Sequence, residues 1–190
     1  MQQAYEQQTF TQTDFTTTRL QSLEFDTCTF INCNFGNMDL TRFTFADCTF
    51  QGCNLALAKL EETALKTVLF KDCKLTGIDL SRCHTFLFSV NFDHCLMDFM
   101  YFGSNAMVKT KFVGCSIKEA QFIGTNLQQS IFDRCDLLMT TFRSCNLQKT
   151  DLRTAYNYAI DPQHNQLKKA KVSMQGLPGL LTQFQLDITP

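Results

Sequence analysis

The chain has 190 residues, 44% apolar and 18% charged, with a net charge of −1. That composition supports one domain with a real core and excludes a disordered chain; the near-neutral balance gives no reason to expect direct nucleic-acid binding. No apolar run approaches the roughly 18 residues of a membrane span, so no membrane partner is expected.

The first ten residues, "MQQAYEQQTF", have neither a basic start nor an apolar stretch, so no export signal is read and a cytoplasmic location is expected. In that setting the ten cysteines are expected as free thiols rather than disulfides. The segment 1–8 is expected to cover one end of the fold, with Tyr5 as an imperfect first member of a five-residue spacing.

From Phe10 a large apolar residue recurs every fifth position through Phe15, Leu20, Phe25, Phe30 and Phe35, without a break to Leu80. A second register starts at Leu87 and runs through Phe92, Met97 and Phe102 to Leu152. A five-residue period fits neither an α-helix nor a strand. All ten cysteines lie two places before a register position, if Cys83 continues the first register. The other three positions are mainly Asn, Asp, Thr, Lys and Gln.

Residues twenty apart form columns: Phe10, Phe30, Phe50 and Phe70 make one, and Leu20, Leu40, Leu60 and Leu80 another. The step from Leu80 to Leu87 is seven residues, and a two-residue bulge there keeps the columns in line. Cys33, Cys53, Cys73, Cys95, Cys115 and Cys135 then form one unbroken ladder. A ladder spreads sulfurs along an axis, whereas a metal needs ligands converging on a point. These thiols therefore read as core filling. His84, His94 and His164 are scattered, and no catalytic triad, phosphate loop or zinc motif can be read. No enzyme activity, cofactor, metal or small-molecule substrate is expected.

Around the bulge, Phe86, Phe88, Leu96, Phe99 and Tyr101 fall outside the regular apolar slots. They form a candidate partner patch, unless the bulge folds back over its own aromatics. After Leu152, Asp161, Pro162 and Asn165 mark a loop, and Leu167 and Val172 resume the five-step. Pro178 suits the first turn of a short α-helix with an apolar side at Leu180, Leu181 and Phe184, and "FQLDI" alternates like a terminal strand. This end reads as a lid, a twofold dimer contact through Leu177, Leu180, Leu181, Phe184 and Leu186, or both. The expected division is 1–152 for the repeats and 153–190 for a capping and dimerisation module.

The pentapeptides "CNFGN", "CNLAL" and "CNLQK" resemble the A-(D/N)-L-x-x signature of the pentapeptide-repeat family across residues 5–152. The resemblance implies an all-β solenoid: a right-handed quadrilateral β-helix of about seven coils, one pentapeptide per side. The tail 157–188 is similar to the C-terminal module of members that protect DNA gyrase, namely the albicidin-resistance, microcin B17 immunity and Qnr-type proteins. That implies an end-to-end homodimer which mimics DNA. It would bind gyrase or topoisomerase IV and reduce sensitivity to quinolone, albicidin or microcin-type poisons. A general protein–protein interaction scaffold with another partner is the alternative. Residues 1–47 hold six acids against Arg19 and Arg42, while Asp39 and Asp79 alternate with Arg19 and Lys59 as a charge-balanced ladder. The even spacing leaves no room for the long loops of Qnr-type members.

Overall fold

The computed structural model describes residues 4–18, 20 and 22–187. The backbone winds as a four-sided prism of about seven turns, and every strand pairing between turns is parallel. Partners lie twenty residues apart, as in Tyr5↔Phe25, Phe30↔Phe50 and Phe112↔Phe132. A single turn has no interior of its own; stacking turns creates one.

Four walls arise from the four pentapeptides of each turn. The first is lined by Tyr5, Phe25, Phe45 and Leu65, and later by Met107, Leu127 and Leu147. The second carries Phe10, Phe30, Phe50, Phe70, Phe92, Phe112 and Phe132. Its sheet of seven strands begins at Thr9–Thr11 and ends at Ile131–Asp133. The third holds Phe15, Phe35, Leu55, Leu75, Met97, Ile117 and Leu137, and the fourth Leu40, Leu60, Leu80, Phe102, Phe122 and Phe142. These side chains are buried or packed against the core. Rings stack along a wall, as for Phe112 on Phe132 at 4.5 Å, and meet edge-on across a corner, as for Phe30 and Phe35 at 5.4 Å. Full burial of each Phe contributes about 1.5–3 kcal/mol, and the repeat applies that gain at every step.

The corners have a backbone cause. The residue two places after most inward centres has a positive φ: Gln12 at 52°, Asn32 at 53°, Arg134 at 53° and Lys149 at 59°. Asn and Asp adopt this left-handed region most readily among residues with a side chain, and Gly52 and Gly114 use it without strain.

The two extra residues fall on the first wall. On the second, third and fourth walls the partner spacing widens once to twenty-two, at Phe70↔Phe92, Lys74↔Leu96 and Asp79↔Tyr101, so the ladders pass the interruption intact. Leu87 does not point inward as its spacing predicts. It is 63% exposed with φ 58°, in a corner slot. The first register continues through Cys83 to that corner, and the supernumerary pair is Phe88 and Ser89. Phe88 folds back against the core, while the Ser89 N–H donates to the Leu65 carbonyl at 3.0 Å.

At the start, Tyr5 is a true first centre, stacked on Phe25 at 4.9 Å. Residues 1–3 of the expected N-terminal cover, Arg19 and Ile188 lie outside the described residues. At the other end the parallel bridges continue beyond Leu152, through Asn146↔Gln166 and Asp151↔Lys171. The expected α-helix is instead two 3₁₀ turns, Leu177–Leu180 and Thr182–Phe184. Gly179 lies inside the turn, where glycine costs an α-helix about 1 kcal/mol, and no side chain caps its start. The expected terminal strand does not form through Asp187, because Gln185 turns left-handed at φ 52°.

Candidate functional site

Two regions carry the residues singled out from sequence: the capped end and the neighbourhood of the interruption. At the capped end, Tyr158 packs beneath the 3₁₀ turns. A Cβ on Gly179 would stand 2.2 Å from the Tyr158 carbonyl oxygen, so the chain approaches here only because glycine has none. The Ile160 N–H donates to the Gly179 carbonyl at 2.8 Å and ties the cap to the last turn. The Tyr158 hydroxyl is buried without a hydrogen-bond partner among the described residues, and burial raises its pKa.

Of the expected interface residues, Leu180 and Leu181 are half-buried within the cap. Leu177, Phe184 and Leu186 remain 36%, 50% and 57% exposed. Met174, not anticipated, joins them at 79% exposure. Its place two residues after Val172, the outward corner slot, was the available signal.

The structure does not bring the residues of the other candidate patch together. Phe86 is 64% exposed on the first wall, beside Leu87, and Phe88 turns inward. Leu96 and Phe99, 52% and 56% exposed, belong to the third wall, half a turn away and on the opposite side. Tyr101 is half-buried on the fourth wall, where it bridges Asp79 and pairs with Gln121. The third wall adds exposed Leu57, Leu138, Met139 and Tyr156 to Leu96 and Phe99, so its outside is the most apolar of the four.

The six cysteines of the ladder do line up behind that wall. All are buried and free, and the Sγ of Cys33, Cys53, Cys73, Cys95 and Cys135 donates to a carbonyl of the turn before, on Phe10, Phe30, Phe50, Phe70 and Phe112. Neighbouring thiols together with burial push Cys53, Cys95 and Cys135 up. Off the ladder, burial pushes Cys48 and Cys83 up to about 12. Such thiols are poor nucleophiles. Among the described residues no group of three or more His, Cys, Asp or Glu is placed to hold a metal ion. No described helix is long and apolar enough to cross a membrane.

Charge is divided along the rod. Residues 1–80 contain ten acids and six bases, whereas residues 81–190 contain eight acids and eleven bases. Exposed ion pairs balance part of each half, with Arg42 on Glu62 at 2.7 Å in the first and Arg153 on Asp151 at 2.7 Å in the second. The Arg153 side chain, through its hydrogen bond, holds Asp151 below the usual carboxylate range.

Family models describing a pentapeptide repeat region and pentapeptide repeats in eight copies match residues 23–86 and 107–156. No curated protein matches the sequence. Among solved structures, a trypsin-treated variant of QnrB1, a plasmid-mediated fluoroquinolone resistance protein, is similar over 98% of this chain and 97% of its own, with a TM-score of 0.64 and 15% identity. A second trypsin-treated variant of QnrB1 covers 99% of this chain and 92% of its own, at a TM-score of 0.55 and 17% identity. HetL, a pentapeptide repeat protein involved in heterocyst differentiation regulation from the cyanobacterium Nostoc, covers 90% and 88% at a TM-score of 0.35 and 16% identity. At these identities the likeness is one of fold.

Proposed function

The chain belongs to the pentapeptide-repeat family, and from that membership we propose that it is a protein-binding rod whose partner is bacterial DNA gyrase or topoisomerase IV, and that binding lowers sensitivity to topoisomerase poisons. The observation that carries this reading is the similarity to QnrB1 along nearly the full length of both chains. QnrB1 is a fluoroquinolone resistance protein, and a rod of matching length suits a similar contact.

Mimicry of DNA in this reading is confined to the half before the interruption. Duplex DNA presents one charge per about 1.7 Å of axis. Only residues 1–80 carry an excess of acids. Two copies meeting through Leu177, Leu180, Leu181, Phe184, Leu186 and Met174 would place an acidic half at each outer end of a twofold dimer. A solvent-exposed apolar end of this kind favours a partner copy.

The test is a supercoiling assay with purified gyrase and a quinolone. Micromolar protein is expected to restore supercoiling and reduce drug-stabilised cleavage. No effect on gyrase or topoisomerase IV would sink the reading. The second reading, an interaction scaffold for another protein, would then stand; the mixed charge of the later half already favours it over mimicry along the whole rod. Light scattering addresses the dimer separately: Phe184→Asp with Leu186→Asp is expected to halve the mass, and an unchanged mass removes the interface.

A further inference from the structure

The edge where the first and second walls meet changes sign at the interruption. Before it, the outward positions carry Glu6, Asp26, Asp47 and Lys66. Beyond it they carry Lys109, Lys111, Lys149, Lys168, Lys169 and Lys171, with Asp151 as the one acid. The backbone fixes their alignment. Lys111 pairs with Ile131, Ile131 bridges Asp151, and Asp151 bridges Lys171. Two positions away, the N–H groups of Lys109, Gln129 and Lys149 donate to the carbonyls of Gln128, Gln148 and Lys168 in successive turns. Three steps of roughly 4.8 Å set Lys109 about 15 Å from Lys169 along the axis. Lys149, Lys169 and Lys171 share a groove of about 420 Å³.

These six side chains are exposed. Asp151 is engaged by Arg153 at 2.7 Å and by Lys171 at 3.7 Å. Lys109, Lys111, Lys149, Lys168 and Lys169 make no ion pair among the described residues. Five uncompensated ammonium groups along one edge, in three adjacent columns, are costly to leave together unless a counter-charge meets them.

We infer that this edge binds the sugar–phosphate backbone of duplex DNA, without sequence choice. Protein interfaces are depleted of Lys and built around aromatic and Arg anchors, and this edge has neither anchor. A lysine-rich edge with interleaved Gln128, Gln129 and Gln148 suits a regular line of phosphate oxygens, which accept from ammonium and amide donors alike. The inference stands whether or not a topoisomerase is the partner.

Fluorescence anisotropy of a labelled 30-base-pair duplex of arbitrary sequence, titrated with the purified full-length protein, tests it. Binding is expected at 50 mM salt. Five released counterions would weaken it by up to roughly 500-fold at 200 mM. Lys149→Glu with Lys169→Glu is expected to reduce affinity at least about tenfold and to flatten the salt slope by about two. Lys59→Glu with Lys74→Glu changes the net charge equally on other walls and is expected to stay within about twofold of the parent. Both pairs are exposed, and circular dichroism checks that the variants fold. Absence of binding at 50 mM, or equal loss from both pairs, overturns the assignment. So does edge-dependent binding to phosphatidylglycerol vesicles without binding to DNA.

Discussion

The stretches of rod on either side of the interruption share one backbone but are filled and coated differently. Before it, aromatic rings occupy three walls, and Phe30 touches six of them: Phe10, Phe15, Phe25, Phe35, Phe45 and Phe50. Beyond it, inward-pointing Phe is confined to the second and fourth walls, and among the described rings Phe112 meets only Phe92, Phe102, Phe122 and Phe132. Met97, Met107, Ile117 and Leu127 fill the remaining slots, each fully buried. The prism thus accepts any large apolar side chain of similar volume, as packed cores generally do. The outside is free to differ, and the earlier half is acidic where the later half is basic.

The sharpest way to test that difference is in the core. Phe30→Ala is expected to lower stability by about 3–5 kcal/mol, and Phe112→Ala by about 1 kcal/mol less, because it forfeits two fewer ring contacts. Urea denaturation measures both, and equal losses would erase the distinction.

The buried thiols predict an alkaline limit to stability. Cys48 and Cys83 are raised to about 12 in the folded chain and ionise near 9 when unfolded. Their burial is therefore fully stabilising below pH 9. Above it the unfolded chain releases protons that the folded chain keeps, so stability falls as pH rises from 9 towards 12. The loss is about 1.4 kcal/mol per thiol per pH unit, or about 3 kcal/mol for the two. Thermal melts at pH 8 and 10 read it, and identical melting temperatures would contradict the burial.

At the capped end, Gly179→Ala is expected to cost about 1–3 kcal/mol, since its Cβ must displace the Tyr158 backbone. Hydrogen exchange at the Ile160 amide should accelerate while the early turns stay protected; a uniform change along the rod would argue that the cap is not a separate opening unit. The smallest effect belongs to the surface. Arg42→Ala removes an exposed pair with Glu62 and is expected to change stability by at most about 1 kcal/mol, diminishing further with salt.

Much of the interior was readable because its period is local. Phe25, Phe30 and Phe35 declare the five-step within eleven residues, and the cysteine ladder emerges once the step is carried to twenty. Leu87 misled for the same reason. It lies five residues before Phe92, yet the backbone was still completing the earlier register through Cys83. At the capped end, Gly179 and the missing cap residue already spoke against an α-helix after Pro178, while the close approach of Gly179 to Tyr158 joins distant positions and was not legible. Phe86 and Leu96 looked like neighbours because ten residues separate them; on a four-sided coil, ten residues is the far side.

What the sequence alone determined is the prism and its lining, because a large apolar residue every fifth position can be buried only if each rests on its counterpart one turn away. The tertiary structure decided which outward residues share an edge. Lys109, Lys149 and Lys169 lie scattered along a chain of net charge −1, and only the winding gathers them into one row.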